Sequence, residues 1–190
     1  MLITPVVLIF YNRPNFTKKV VEQIIKANPP KVYAISDGPK TSKEINLVNQ
    51  TRDLVEKSFD MSHIGIEKIY SNTNLGLEKR ICSGLDYVFQ LEEKAIILED
   101  DCVPEISFFQ FCQEMLTKYE TEEKVSHISG SRYVDVNNSE NKSYYFSKYP
   151  LEWGWATWKS EWMRYDSKMS DWQEVSKDST LRKKFDTKKT

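Results

Sequence analysis

The run Ala95-Ile96-Ile97-Leu98-Glu99-Asp100-Asp101-Cys102-Val103-Pro104 decides how this chain reads. Four apolar residues in a row mark a short strand covered on both faces. Three acids close it, and Pro104 follows. Before it, Leu77, Ile81, Leu85 and Phe89 form an apolar stripe at helical spacing, preceded by the breaker Asn74-Leu75-Gly76. After it, Phe108, Phe109, Cys112 and Leu116 mark another helix. Further upstream the alternation repeats. Val6 to Phe10 is an apolar, β-branched strand, and Pro14 opens a helix, where its missing N–H costs nothing. Phe16, Val20 and Ile24, with Val21 and Ile25, give that helix its stripe, and Pro29-Pro30 ends it. Lys31 to Ser36 is a second strand. Thr41 to Glu44 has the capping-box pattern for a helix through Val55, and Ile64 to Tyr70 is a third strand. Val125 to Ser129 and Ser143 to Ser147 are expected as later strands.

Strand and helix in alternation predict an α/β domain with a mostly parallel sheet and helices on both faces. Ligands of such sheets bind beyond the carboxyl ends of the strands. Tyr11-Asn12-Arg13, Asp37-Gly38 and Glu99-Asp100-Asp101 each follow an apolar strand run, so they are expected to meet in space.

A chain of 190 residues suffices for one domain with a core. The apolar pattern places that domain at 1–175; residues 176–190 are charged and polar and read as a linker or truncated end. A formal net charge of −1 gives no field that would draw nucleic acid or an anionic membrane. The apolar start, Leu2 to Phe10, is too short to span a bilayer and lacks a basic flank, so no integral membrane segment is expected; peripheral association stays open. Three cysteines without a CxxC pair favour a reducing, cytoplasmic setting.

The three acids are electrostatically awkward. Like charges a few ångströms apart raise one another's pKa, and the strand before them offers no counter-charge. A divalent cation, Mn²⁺ or Mg²⁺, would resolve this, since hard cations take one or two carboxylates and complete their shell with phosphate oxygens. The plainer alternative is a solvated turn with three acids.

The segment Ile97 to Pro104, followed by Phe108-Phe109, resembles the acid motif of GT-A-fold glycosyltransferases. The nearest match is the N-acetylglucosaminyltransferase I-like group and its bacterial relatives in surface-polysaccharide synthesis. Pro5 to Pro14 is similar to that group's first strand, Ser36-Asp37-Gly38 to its second, and Trp153-Gly154-Trp155-Ala156-Thr157-Trp158 to the bacterial members' aromatic motif. The resemblance implies a nucleotide-sugar donor, a UDP-sugar above all, and a glycan or polysaccharide acceptor. It implies that Arg13 and Asp37, with the neighbouring Tyr11 and Asn12, hold the nucleotide. Glu99 and Asp100 would contact ribose and sugar, and Asp101 would coordinate the metal. Arg80 falls where the family has a basic diphosphate contact, often histidine, so that match is looser. Read without the family, Arg80 is a solvated helix face, Asp37-Gly38 a turn pair and Arg13 a surface arginine.

The tryptophan-rich stretch suits a sugar-binding wall, because aromatic faces stack on the C–H faces of sugar rings. Glu152, Trp153 and Trp155 are the donor or acceptor candidates, while Trp158 and Trp162, four apart, read as one buried helix face. An inverting transferase also needs a base for the acceptor hydroxyl. The family's base is an aspartate beside a tryptophan. Asp171-Trp172 is the in-chain match, and the bacterial pattern puts the true base beyond residue 190. Three other functions compete. A sugar-phosphate nucleotidyltransferase would need a glycine-rich loop where Tyr11-Asn12-Arg13-Pro14 stands. A phospho-receiver domain would carry its acid pair on the first strand. A catalytically incomplete nucleotide-sugar or glycan-binding module of the same fold is the strongest alternative.

Overall fold

The computed structural model describes residues 1–131 and 143–179. Within them the chain forms β1 (Val6–Phe10), α1 (Pro14–Ala27), β2 (Val32–Ser36), α2 (Ile45–Ser62) and β3 (Ile66–Tyr70). It continues through α3 (Leu77–Leu91), β4 (Lys94–Glu99), α4 (Ile106–Lys118), β5 (Ile128–Ser129), β6 (Trp155–Trp158), α5 (Lys159–Trp162) and α6 (Trp172–Val175). One six-stranded sheet runs in the order β3-β2-β1-β4-β6-β5. The first four strands in that order are parallel to their neighbours; β6 lies antiparallel to β4 and to β5. The expected α/β architecture with a mostly parallel sheet is therefore present.

The continuous apolar runs are explained by two cores. Successive strand residues point to opposite faces. Val6, Leu8, Phe10, Ile96 and Leu98 pack with α1, α2 and α4 through Val20, Ile24, Phe59, Phe109 and Leu116. Val7, Ile9, Ile35 and Ile97 pack on the other face against Leu85, Val88 and Phe89 of α3 and Trp162 of α5. The sheet order also explains where a ligand would go. From β1 the chain steps outward to β2 and β3, then returns to place β4 on β1's other flank. Such a reversal opens a crevice beyond the carboxyl ends of the two strands beside it. Register pairs Ile9 with Glu99 and Phe10 with Ser36, so Tyr11, Asp37 and Asp100 follow side by side on one edge.

Several expectations are corrected. The second long helix does not stop near Val55 but runs to Ser62, where His63 takes a left-handed cap at φ 60°. Ser143 to Ser147 is not a strand: Tyr144 packs its ring on Phe111 and Tyr119 and bonds the Tyr119 hydroxyl at 2.6 Å, so side chains rather than a ladder hold it. The sixth strand is instead Trp155–Trp158, whose small Ala156 and Thr157 pair with Ile96 and Ala95. Trp158 and Trp162 are both buried, yet they do not share a helix face. Trp158 ends β6 in the first core; Trp162 sits on α5 in the second. The boundary between strand and helix falls between them and defeats the four-residue spacing. Of the polar segment 176–190, residues 180–190 lie outside the described residues.

Candidate nucleotide site at the sheet edge

Asp100 links two strand ends. Only 3% of its side chain is exposed, one oxygen takes the Tyr11 backbone N–H at 3.3 Å, and the other is paired with the Arg13 guanidinium. The second guanidinium nitrogen reaches Asp101 Oδ2 at 3.2 Å. Arg13 thus bridges adjacent carboxylates from the N-cap position of α1. Burial works against its charge, but Asp100 and Asp101 outweigh burial and raise its pKa. The counter-charge that the apolar strand before the acids does not offer comes from β1's own loop, across the sheet edge. Burial raises the pKa of Asp100 even though Arg13 and the Tyr11 N–H oppose it. Glu99 is half-buried, and its pKa is raised by burial first and then by Asp101, Asp100 and Glu152.

The Tyr11-Asn12 half of the loop is fixed by a residue not singled out from sequence. Glu44 accepts hydrogen bonds from the Tyr11 hydroxyl at 3.3 Å and from Asn12 Nδ2 at 3.1 Å, while holding the Thr41 N–H at 3.0 Å. The capping-box pattern flagged Glu44 as a helix start and said nothing of this second task. Lys40 N–H in turn donates to the Tyr11 hydroxyl at 2.8 Å.

Asp37 is 7% exposed and faces the chain itself. Its carboxylate accepts the N–H groups of Gly38 at 2.9 Å, Leu75 at 2.9 Å and Gly76 at 3.0 Å, tying the end of β2 to the turn before α3. Arg52 of α2 braces the same place from behind. It donates to the carbonyls of Asp37 at 2.8 Å and Ser71 at 2.7 Å and lies over the Tyr70 ring. Nothing in the sequence distinguishes Arg52 from a surface arginine on an amphipathic helix.

Arg80 is not a solvated face residue. It is 7% exposed, and its Nε has no hydrogen-bond partner among the described residues. Burial lowers its pKa, and Arg52 nearby adds to that, while Asp37 counters. A buried guanidinium nitrogen without a partner is costly unless something else meets it.

A groove of about 910 Å³ opens on the α4 side of the acid motif. Asp101, Cys102, Phe108, His127, Trp153 and Gly154 are among its walls. Gly154 has φ 70°, and a Cβ on Gly130 would fall 2.1 Å from the Phe108 ring, so both glycines let the backbone lie close on Phe108. Trp153 is 61% exposed at the rim, whereas Trp155 is half-buried and stacks on His127 with centroids 5.0 Å apart. Glu152 is exposed. Asp37 and Arg80 belong to the sheet edge rather than to this groove. Asp171 is exposed at the N-cap of α6; its backbone carbonyl accepts the Glu174 and Val175 N–H groups, and none of its described bonds reaches the acid motif.

Among the described residues, no cluster of three or more His, Cys, Asp or Glu side chains can hold an ion by itself. Asp101 is one-third exposed, and among the described residues its Oδ1 meets only the Cys102 thiol, at 3.6 Å. That fits a cation bound through one carboxylate with a ligand's phosphate oxygens, and not a closed protein cage. No helix among the described residues is long and apolar enough to cross a membrane.

No protein-family model matches this chain, and no curated protein matches it. Solved structures with a loose likeness include a UDP-glucose pyrophosphorylase complexed with UDP-glucose, at TM-score 0.38 and 10% identity over 70% of this chain. A 4-diphosphocytidyl-2C-methyl-D-erythritol synthase from Anaerococcus prevotii DSM 20548 aligns at TM-score 0.46 and 7% identity, covering 92% of this chain and 85% of that one. An apo UDP-glucose pyrophosphorylase aligns at TM-score 0.34 and 12% identity. This chain spans 65% and 57% of the two pyrophosphorylases.

Proposed function

We propose that this chain is the donor-binding domain, residues 1–175, of a GT-A-type glycosyltransferase, taking a nucleotide-diphosphate sugar and passing the sugar to a glycan or polysaccharide. The observation that carries the reading is the meeting of Tyr11, Arg13, Asp100 and Asp101 on one edge, at the reversal of strand order. In this reading Tyr11, Asn12 and Arg13 line the nucleotide, with Asp37 holding the adjoining turn in shape. Glu99 and Asp100 face ribose and sugar. Arg80 meets the diphosphate, which would give its Nε the partner it lacks. Trp155, Trp153 and Glu152 border the sugar and acceptor side.

Asp101 would hold Mn²⁺ or Mg²⁺ together with the diphosphate. When bound, such an ion offsets the charge that develops on the leaving group. The chain's own residues do the rest: Arg80 and the β1 loop hold the diphosphate, and the Trp153 rim orients the acceptor. Asp171 is the in-chain candidate for the base that takes the acceptor proton.

The test is calorimetry with UDP, GDP and UDP-sugars, with and without Mn²⁺, followed by a transfer assay. Metal-strengthened binding of one diphosphate, lost in Asp101→Ala with the fold intact, is the expected result. No binding of any nucleotide under either condition refutes the reading. Donor binding without turnover, unchanged by Asp171→Asn, favours the second reading: a binding module of the same fold. What supports that one is that none of Asp171's described hydrogen bonds reaches the acid motif.

A further inference from the structure

Asp101 is the most exposed acid of the motif that Arg13 holds, and the guanidinium already lies against its Oδ2. We propose that Arg13 is the resident counter-cation of the acid motif and competes with a divalent cation for it, so that the cation binds well only once a diphosphate draws Arg13 away. This inference rests on the nucleotide reading and concerns how the same site is regulated.

The argument starts from the unequal settings of the two carboxylates. Asp100 is enclosed and held twice, by Arg13 and by the Tyr11 N–H. Asp101 is one-third exposed, held by Arg13 on Oδ2 at 3.2 Å and touched on Oδ1 only by the weak Cys102 thiol donor at 3.6 Å among the described residues. The Arg13 side chain itself is 46% exposed, so half of it can turn without unpacking the core. An arginine fork suits phosphate at least as well as carboxylate and binds either in bidentate fashion. A diphosphate arriving at the strand ends therefore offers Arg13 an alternative to Asp101. Leaving Asp101 frees Oδ2 for a hard cation whose remaining shell the same diphosphate supplies. Without the diphosphate, a second cation would have to approach a carboxylate already neutralised by a guanidinium. A neighbouring guanidinium disfavours any further positive charge on the carboxylate, by the same opposition that lowers its affinity for a proton.

Two consequences distinguish this from simple completion of a metal shell by phosphate. Removing the Arg13 charge should make the site bind metal better when no nucleotide is present. The same change should reduce the mutual strengthening of metal and nucleotide, since part of that strengthening is the release of Arg13.

The experiment titrates the whole chain with MnCl₂ alone, reading free Mn²⁺ by electron paramagnetic resonance, for the wild type, Arg13→Gln and Arg13→Lys. The titration is repeated with saturating UDP. Arg13→Gln is expected to bind Mn²⁺ alone about tenfold tighter than wild type. Arg13→Lys, a point charge that cannot span both carboxylates, should fall between them. UDP should strengthen Mn²⁺ binding most in the wild type. Circular dichroism checks that each variant is folded, and if the glutamine variant is not, the lysine variant decides. Mn²⁺ affinity in the deciding variant equal to or below wild type overturns the proposal. Failure of UDP to bind any of the three overturns the nucleotide reading instead, and the MnCl₂-alone comparison is unaffected by it.

Discussion

Replacing Asp37 by alanine separates a latch from a ligand contact. The carboxylate accepts three backbone N–H groups: Gly38 at 2.9 Å, Leu75 at 2.9 and 3.1 Å, and Gly76 at 3.0 Å. Bonds to a charged acceptor contribute roughly 1.5–3 kcal/mol each, and a donor left unpaired in a closed site costs about 1–3 kcal/mol. Water can reach part of this turn once the side chain is gone, so the lower end applies, and three donors give about 3–5 kcal/mol. That is a large share of a typical domain stability of about 5–15 kcal/mol. With a urea slope of about 2 kcal/mol/M, the unfolding midpoint should fall by roughly 2 M. Asp37→Asn keeps one acceptor oxygen and should lose about half as much. Urea unfolding followed by tryptophan fluorescence measures both. The tryptophans Trp158 and Trp162 lie in the two separate cores, so the signal reports the whole sheet. The latch reasoning is refuted if Asp37→Ala costs less than about 1 kcal/mol while nucleotide affinity collapses; Asp37 would then act on the ligand.

Gly38→Ala places a Cβ 2.5 Å from the Thr73 carbonyl carbon, backbone against backbone, so thermal denaturation should show a loss of about 1–3 kcal/mol. Trp158→Phe removes the indole N–H that donates to the Leu116 carbonyl at 3.0 Å and joins β6 to α4; about 2–3 kcal/mol should be lost in urea unfolding. His127 is held neutral by burial, which lowers its pKa. Its stabilising share is present above the unfolded pKa of about 6.5 and is lost as pH falls through the lower folded value. Stability measured from pH 7.5 to 5 should therefore decline more steeply in the wild type than in His127→Gln, and parallel curves would contradict this.

Much of the sheet was legible because its signals are local. An apolar run such as Val6–Phe10 or Ile96–Leu98, flanked by breakers, has few other uses, and the strand ends then bring Tyr11 and Asp100 together by topology alone. The later chain was less legible for a physical reason. Ser143 to Ser147 is a run of three aromatics between serines, a composition that favours strand, but Tyr144 found its partners at α4 and its C-cap instead of on a ladder. Trp158 and Trp162 show the same limit, since spacing does not reveal where a strand hands over to a helix. Arg52 could not be read at all, and the burial of Arg80, which only the family resemblance marked as a diphosphate contact, could not be read from the residues themselves. A charged residue on an amphipathic helix reads as solvated unless one knows that a strand end and its loop close over it.

The electrostatics of the acid motif depends on a partner distant in sequence. Within its own segment the apolar strand offers the three acids no counter-charge. The sheet places β1 beside β4, so residue 13 answers residues 100 and 101, and the local excess is reduced before any ligand arrives. What remains open to a ligand is correspondingly smaller: one oxygen of Asp101, the half-buried Glu99 and the buried Arg80. Two carboxylates and one guanidinium do not by themselves choose between an anion and a cation. On the reading proposed above, a diphosphate would engage the positive groups of this edge, Arg13 and Arg80, and bring negative charge for a metal at Asp101 to neutralise. The nucleotide would then be the organising ligand, and the metal would follow it.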